Sequence, residues 1–147
     1  MATIKQKSLK PATNVPYAEG ILAYNGTGAA IAADKLVRID GVNGAQLKIV
    51  LAAGDSAGTV KPAMFVTKHG IPDGKSGVIL PWKIIDFDTS TFTAGDHVYA
   101  IDTDGDIGVS GSASVNRVVG ICLNSATVAN GGKVWLAPTA MMGVSAI

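Results

Sequence analysis

The chain has 147 residues, of which 48% are apolar and 5% aromatic, and its formal net charge is +1. This length accommodates one domain with an aliphatic core, and the near-neutral charge argues against nucleic-acid binding through phosphate neutralisation. The 11 acidic residues include a single Glu, whereas there are 18 Gly and 6 Pro. Because Asp, Gly and Pro favour turns, this composition predicts an all-β protein built from short strands.

The first segment, residues 1–18, predicts an extended N-terminal arm. It contains two prolines and no amphipathic period, and its charged residues are all lysines. An arm of this kind frays unless a partner binds it. The candidate binding residues lie between its two ends: Thr3, Ile4, Lys5, Gln6, Lys7, Leu9, Lys10 and Val15. The chain shows no signal-peptide pattern and no apolar segment of membrane-spanning length, so cytosolic synthesis and no membrane contact are expected.

Residues 19–147 predict a single β domain, because short apolar runs alternate there with turn residues. Strands are expected in "GILAY", "LVRID", "AQLKIVLA", "PAMFVTK", "GVILPWKIIDF", "DHVYAI", "NRVVGICL" and "GKVWLA". Pro81 interrupts the longest run and predicts a bulge, an edge or a corner there. We expect a small β-barrel or a β-sandwich-like body.

Two similar halves are expected within this body, at about residues 30–85 and 92–138. Setting Asp34 on Asp96 brings two strand-turn-strand patterns into line. A duplicated half pairs its strands across a pseudo-two-fold axis and removes open sheet edges. The alternative is that such turn sequences recur by chance in a turn-rich β chain.

The same comparison aligns the segment Pro72–Pro81 with Ala129–Pro138 and makes Trp82 and Trp135 equivalent. Paired tryptophans of this kind plug the ends of a small barrel or, alternatively, form a platform for a carbohydrate or a nucleotide. The apolar C-terminal tail predicts a contact with the body or with a second subunit. The candidate contact residues are Met141, Met142, Val144 and Ile147.

Reactive side chains are few. Asp102, Asp104 and Asp106 begin like a calcium loop, but the Gly and the bidentate Glu of an EF-hand are missing, so a solvated hairpin turn is favoured over a cation site. The two histidines lie in different hairpins without a triad pattern. The lone Cys122 excludes an intrachain disulfide and packs as a small apolar side chain. We therefore expect neither an enzyme nor a cofactor.

The last third of the chain resembles the capsid cement, or head-decoration, proteins of tailed bacteriophages. Those proteins share an "AGDxVYxxD" hairpin and a "VGIxLxxA…GGKVxVxL" ending. The matching positions are Ala94, Gly95, Asp96, Val98, Tyr99, Asp102, Val119, Gly120, Ile121, Leu123, Ala126, Gly131, Gly132, Lys133 and Val134. The sequence departs from the family at Ala137 and Pro138, where an apolar tail follows instead of a strand end.

The resemblance implies a virion structural protein on the capsid exterior. Such proteins bind the outer surface of the expanded head, contact the major capsid protein and are often homotrimers, without direct contact to nucleic acid. The N-terminal arm would then add a strand to a capsid sheet edge, with its lysines at acidic rims. The alternatives are a carbohydrate- or ligand-binding β module and a hydrolase.

Overall fold

A computed structural model describes residues 20–52, 63–108 and 117–141. The expectation of an all-β fold with a small barrel is confirmed, since these residues form ten strands and one short 3₁₀ helix, Val128–Asn130. In chain order the strands are β1 (Ile21–Asn25), β2 (Leu36–Asn43), β3 (Gln46–Leu51), β4 (Phe65–Thr67), β5 (Ser76–Leu80), β6 (Lys83–Asp86), β7 (His97–Ala100), β8 (Ile107–Gly108), β9 (Arg117–Cys122) and β10 (Lys133–Leu136).

The first five strands close into a barrel in the order β1-β3-β2-β4-β5. β1 closes it by pairing antiparallel with β5 on one side and parallel with β3 on the other. Alternation along the strands sends every second apolar side chain inward. The barrel interior is aliphatic and comprises Ala23, Ile31, Val37, Ile49, Ile71 and Ile79.

The last five strands form a second sheet in the order β6-β10-β9-β7-β8. Its inner face packs on the outside of the barrel, where Leu36 and Val66 are fully buried. This core between the sheets comprises Leu36, Ala52, Ala63, Val66, Ile85, Phe92, Val98, Ala100, Ile107, Val119, Cys122, Val134 and Leu136. The two sheets therefore share one core.

The second sheet repeats the pairing order of the barrel. The antiparallel pairs β1 with β5, β5 with β4, β4 with β2, and β2 with β3 have counterparts in β6 with β10, β10 with β9, β9 with β7, and β7 with β8. The parallel pair of β1 with β3 has no counterpart among the described residues, because β8 does not pair with β6. The second half of the molecule, β6 to β10, is thus an opened version of the first half, β1 to β5.

Hydrogen bonds outside the strands give the register between the halves. The Asp34 N–H donates to the Thr67 carbonyl, and the Gly95 N–H donates to the Cys122 carbonyl in the same way. Asp34 therefore corresponds to Gly95, and both have positive φ, 64° and 97°. The expected alignment of Asp34 on Asp96 is wrong by one residue, since the shared feature is a left-handed turn position rather than a carboxylate.

The two tryptophans are not equivalent positions. Thr67 pairs with Ile79 as Cys122 pairs with Val134. The residue of the first half that corresponds to Trp135 is therefore Leu80. Trp82 lies after β5, outside any strand, and is 56% exposed. The interpretation of Trp82 as a barrel plug is therefore wrong.

The opened end of the second half is attached to the barrel. The Leu36 N–H donates to the Gly105 carbonyl at 2.9 Å, and the Gly105 N–H donates to the Ala52 carbonyl at 2.7 Å. Lys35 forms an ion pair with Asp106 across the same boundary. The turn between β7 and β8 is thereby held against the ends of β2 and β3 instead of against β6.

The predicted arm, residues 1–18, lies outside the described residues. Cys122 is buried as predicted, and its Sγ donates to the Asn124 carbonyl at 2.8 Å. No helix within the described part of the chain is long and apolar enough to cross a membrane.

Candidate interaction surface

The outer face of the second sheet carries a row of apolar and aromatic side chains. Since Val134 and Leu136 are buried in the core, the pleat directs Trp135 to the opposite face. Ile84 and Ile121 lie opposite Trp135 on the neighbouring strands. We call the surface formed by Ile84, Ile121, Trp135, His97 and Tyr99 the outer strip.

The far end of the outer strip is aromatic. His97 lies opposite Ile121 across β7 and β9. Its ring meets that of Tyr99 edge to face, with the ring centroids 6.4 Å apart. Ile84 at the other end is 50% exposed. The other four members are partly exposed, and a face that combines aliphatic and aromatic groups offers the side chains that protein interfaces favour.

A charged pair borders the outer strip. Lys133 lies two residues before Trp135 on the same face of β10, and its ammonium group pairs with the carboxylate of Asp86 on β6. Both side chains are solvent-accessible, so the pair contributes little to stability. It gives the strip a polar rim on the side where β6 ends.

β6 is an edge strand of the second sheet and, among the described residues, has a paired strand on one side only. The Phe87 N–H donates to the Gly132 carbonyl at 3.1 Å, which sets the alternation of bonded pairs along β6 and β10. In that alternation the N–H and C=O groups of Ile84 and Asp86 point away from β10. The counterpart strand in the barrel, β1, is bonded on both sides.

A cavity of about 330 Å³ lies where the second half fails to close. One wall comes from β6 and the residue after it, Ile85 and Phe87, and the other from the β7–β8 hairpin. The segment Ala33 to Lys35 of the first half forms the floor. The wall of the hairpin is formed by Ile101, Asp106 and Ile107.

Two ion pairs cross this cavity region. Lys35 pairs with Asp106, and the Lys83 Nζ lies 2.5 Å from the Asp34 Oδ1. Lys83 also donates to the Lys68 carbonyl at 2.8 Å. These contacts join the start of β6 and the β7–β8 turn to the barrel.

Of the three aspartates that begin like a calcium loop, Asp106 has contacts that tie it to the barrel and to its own turn. Asp106 accepts a hydrogen bond from Lys35, and its backbone N–H donates to Thr103. Within the ranges that the structure describes, no three His, Cys, Asp or Glu side chains are grouped to hold a metal ion. The turn at Asp104 and Gly105, with Gly105 at φ 82°, is the hairpin turn that the sequence predicts.

Asp88 follows β6, and Ser90 hydrogen-bonds to its carboxylate. The hydroxyl and the N–H of Ser90 donate to its carboxylate at 2.7 and 3.0 Å. Hydrogen bonds to the charged form, from the side chain first and the backbone second, hold the pKa of Asp88 below its usual value. The exposed edge beside the cavity therefore keeps this negative charge well into acid.

The two histidines lie in different halves of the molecule, His69 in the barrel half and His97 at the start of β7. His69 belongs to the barrel half, where its Nδ1 is 2.9 Å from the Gly70 carbonyl and its Nε2 accepts from the Val78 N–H at 3.5 Å. Asn124 occupies the corresponding place in the second half, where it accepts from the Lys133 N–H at 2.9 Å. His69 thus fills a turn position that an amide fills in the other half.

The candidate site residues of the sequence fall mostly outside the described ranges. This holds for the arm, which includes Thr3 to Val15, and for Met142, Val144 and Ile147. Met141 is half-buried in a turn, where its N–H donates to the Ala137 carbonyl at 3.0 Å. Its contact with a second subunit stays a prediction.

Sequence reasoning named Trp135 as part of an alternative aromatic platform but did not group it with the rest of the outer strip. Its members are spread over four strands, and their neighbourhood depends on the order β6-β10-β9-β7. Period-two alternation in "KVWLA" separates Trp135 from Val134 and Leu136, and this was the available signal. The alternation along one strand does not predict which face of the sheet packs against the barrel.

Comparison of the chain with protein-family models, with curated proteins and with solved structures finds no match.

Proposed function

We propose that this protein is a bacteriophage capsid decoration protein, which binds the outer surface of the expanded head and bridges its subunits. The observation that carries the proposal is the outer strip on an open sheet, a surface suited to contact with another protein. The resemblance supports it, since the residues that carry the resemblance lie in the half of the molecule that presents this strip.

The mechanism requires no bond-making step. A protein that binds the assembled shell and not its separated subunits stabilises the shell by mass action. The outer strip would supply the apolar contact and the Lys133–Asp86 rim the polar contacts around it. In this proposal Thr3 to Val15 contribute a second contact with the major capsid protein, and copies assemble as a trimer through Met141 and the residues that follow it.

Co-sedimentation with empty expanded heads of the source virus tests the proposal. Ile84→Lys places a charge at an exposed position of the outer strip, so we expect at least a tenfold loss of binding. Val42→Lys is the matched control, because Val42 is also an exposed aliphatic residue on a strand but lies in the barrel half. We expect it to bind as the parent chain does.

Unchanged binding by Ile84→Lys, with both variants folded, would contradict the use of this face. Absence of binding to expanded heads by the parent chain would contradict the function itself. The oligomeric mass in solution, measured by light scattering, tests the trimer separately.

A carbohydrate-binding module remains the second candidate, because Trp135 has the charged pair Lys133–Asp86 beside it. An aromatic face next to hydrogen-bonding groups is suited to stacking on a sugar ring. Binding on a glycan array that Trp135→Ala abolishes would favour this candidate over capsid decoration.

A further inference from the structure

We propose that, in the free protein, residues 3–10 of the same chain add as a strand to the open edge of β6. This docking site for the N-terminal segment goes beyond the proposed function, since it concerns the molecule before it meets a shell. Four features carry it: the main-chain groups of β6 that point away from β10, the neighbouring cavity, the charges of the edge, and the place where the segment joins the body.

The edge of β6 offers the hydrogen-bonding groups that an added strand needs. The N–H and C=O groups of Ile84 and Asp86 point away from β10. In the barrel half, the corresponding edge of β1 is satisfied by β3 over Ala23, Tyr24 and Asn25. A peptide strand on β6 therefore supplies the kind of pairing that closes the first half.

The cavity beside this edge accepts an apolar side chain. Its volume of about 330 Å³ exceeds that of one branched aliphatic side chain, and four of its lining residues are Ile85, Phe87, Ile101 and Ile107. Side chains of a strand on β6 alternate between this inner face and the outer face. If Ile4 enters the cavity, Lys5 is directed to the outer face beside Asp86.

The charges of the edge complement those of the segment. Asp86 and Asp88 are both exposed on this edge, and Lys133 neutralises the first. The N-terminal segment brings Lys5, Lys7 and Lys10 and no acidic side chain. Attraction between them orients the segment along the edge, with an effect that salt screens.

The segment joins the body close to β6. Gly20, the residue before β1, lies against Leu80, and the chain enters β6 three residues after Leu80. Residues 11–19 can span up to about 30 Å when extended, whereas β6 is about 13 Å long. Pro11 has no N–H to donate, so it sets the end of an added strand at residue 10.

Disulfide trapping in the full-length protein tests the docking. We pair Lys5→Cys with Asp86→Cys and compare it with Lys5→Cys paired with Lys75→Cys, an exposed position in a barrel turn. The native Cys122 is buried and does not compete. Under mild oxidation we expect the first pair to form an intrachain disulfide at least tenfold faster than the second, with the linked peptides identified by mass spectrometry.

Amide exchange gives a second readout that does not depend on cysteines. We expect the N–H groups of Ile84 and Asp86 to be protected in the parent chain, and their exchange to accelerate at least tenfold in Ile4→Asp. Equal trapping rates in the two cysteine pairs, links formed only between chains, or exchange unaffected by Ile4→Asp would each overturn the proposal. None of these measurements involves a capsid, so their failure is distinct from failure of the proposed function.

Discussion

Gly120 shows how closely the strands of the second sheet approach at a single residue. A Cβ built at this position collides with the carbonyl oxygen of Trp135 and lies 3.1 Å from the Cα of Leu136. Both neighbours are backbone atoms of β10 and cannot move without displacing the strand. The glycine in "VVGIC" is thus required by packing, although its φ is not in the left-handed region.

We predict that Gly120→Ala destabilises the protein by about 3 kcal/mol, at the upper end of the cost of overpacking a core. Chemical denaturation followed by circular dichroism measures the change in the free energy of unfolding. Gly70→Ala is the control, because its added Cβ would meet the Ile31 carbonyl at an ordinary 3.7 Å. A similar small effect for both variants would contradict the packing argument.

Buried polar residues lie at equivalent positions in the two halves. Asn25 and Thr89 are fully buried; Asn25 is the last residue of β1, and Thr89 follows β6, the counterpart of β1. The Asn25 amide donates to the Ile71 carbonyl at 2.9 Å, and the Thr89 hydroxyl donates to the Ala126 carbonyl at 3.0 Å. Two different side chains thus satisfy the same backbone acceptor in the two halves, which a sequence alignment by identity does not detect.

At the scale of strands and turns, much of the fold could be predicted from the sequence. Alternating apolar residues and Gly-containing turns indicated nine strands in eight runs and β8 as the strand after the turn at Asp104 and Gly105, and Pro81 lies, as expected, at the break between β5 and β6. The register between halves could not be predicted, because it depends on turn conformation: Asp34 adopts the positive φ that Gly95 adopts in the second half.

The open side of the second sheet was also beyond sequence reasoning. It arises because Gly105 bonds to the barrel through Leu36 and Ala52, a contact between residues more than fifty positions apart. The edge of β6 and the cavity lie on that open side. The candidate site named from the sequence lay mainly in the two terminal segments, which the described residues do not include.

The ion pair between Lys83 and Asp34 joins the first strand of the second half to a turn of the first half. Both side chains are partly exposed, so we predict a coupling free energy of about 0.5 to 1 kcal/mol. A double-mutant cycle with Lys83→Met and Asp34→Asn measures it, since Asn also tolerates positive φ. The Arg38–Asp40 pair within β2 is the control, and a coupling no larger than in that pair would contradict a role in joining the halves.

At the scale of the whole molecule, the two halves depend on each other. Leu36 belongs to the barrel by sequence, yet its side chain packs among residues of the second sheet. Hydrogen bonds of Gly105 and the ion pair of Lys35 with Asp106 cross the same boundary. We therefore expect the described body to unfold as one unit, although its strands form two sheets.

We predict that Leu36→Ala lowers the free energy of unfolding by about 2 to 5 kcal/mol and leaves a single transition. Tryptophan fluorescence reports mainly on the second half through Trp135, while far-ultraviolet circular dichroism reports on all strands. Coincident midpoints are the expected result. Leu22→Ala, at an exposed position of the barrel, is the control. A barrel that stays folded after the second sheet has melted would contradict the prediction.

The closed barrel is made entirely from β1 to β5, a continuous stretch that ends at Leu80. During synthesis this stretch leaves the ribosome before any strand of the second sheet exists, so it can complete its pairings early. Leu36 and Val66 would then face water until β6 to β10 emerge and cover them. The nascent chain thus passes through a stage in which an aggregation-prone apolar surface is exposed. At that stage, slow translation or a chaperone that binds this surface would determine how much protein completes folding.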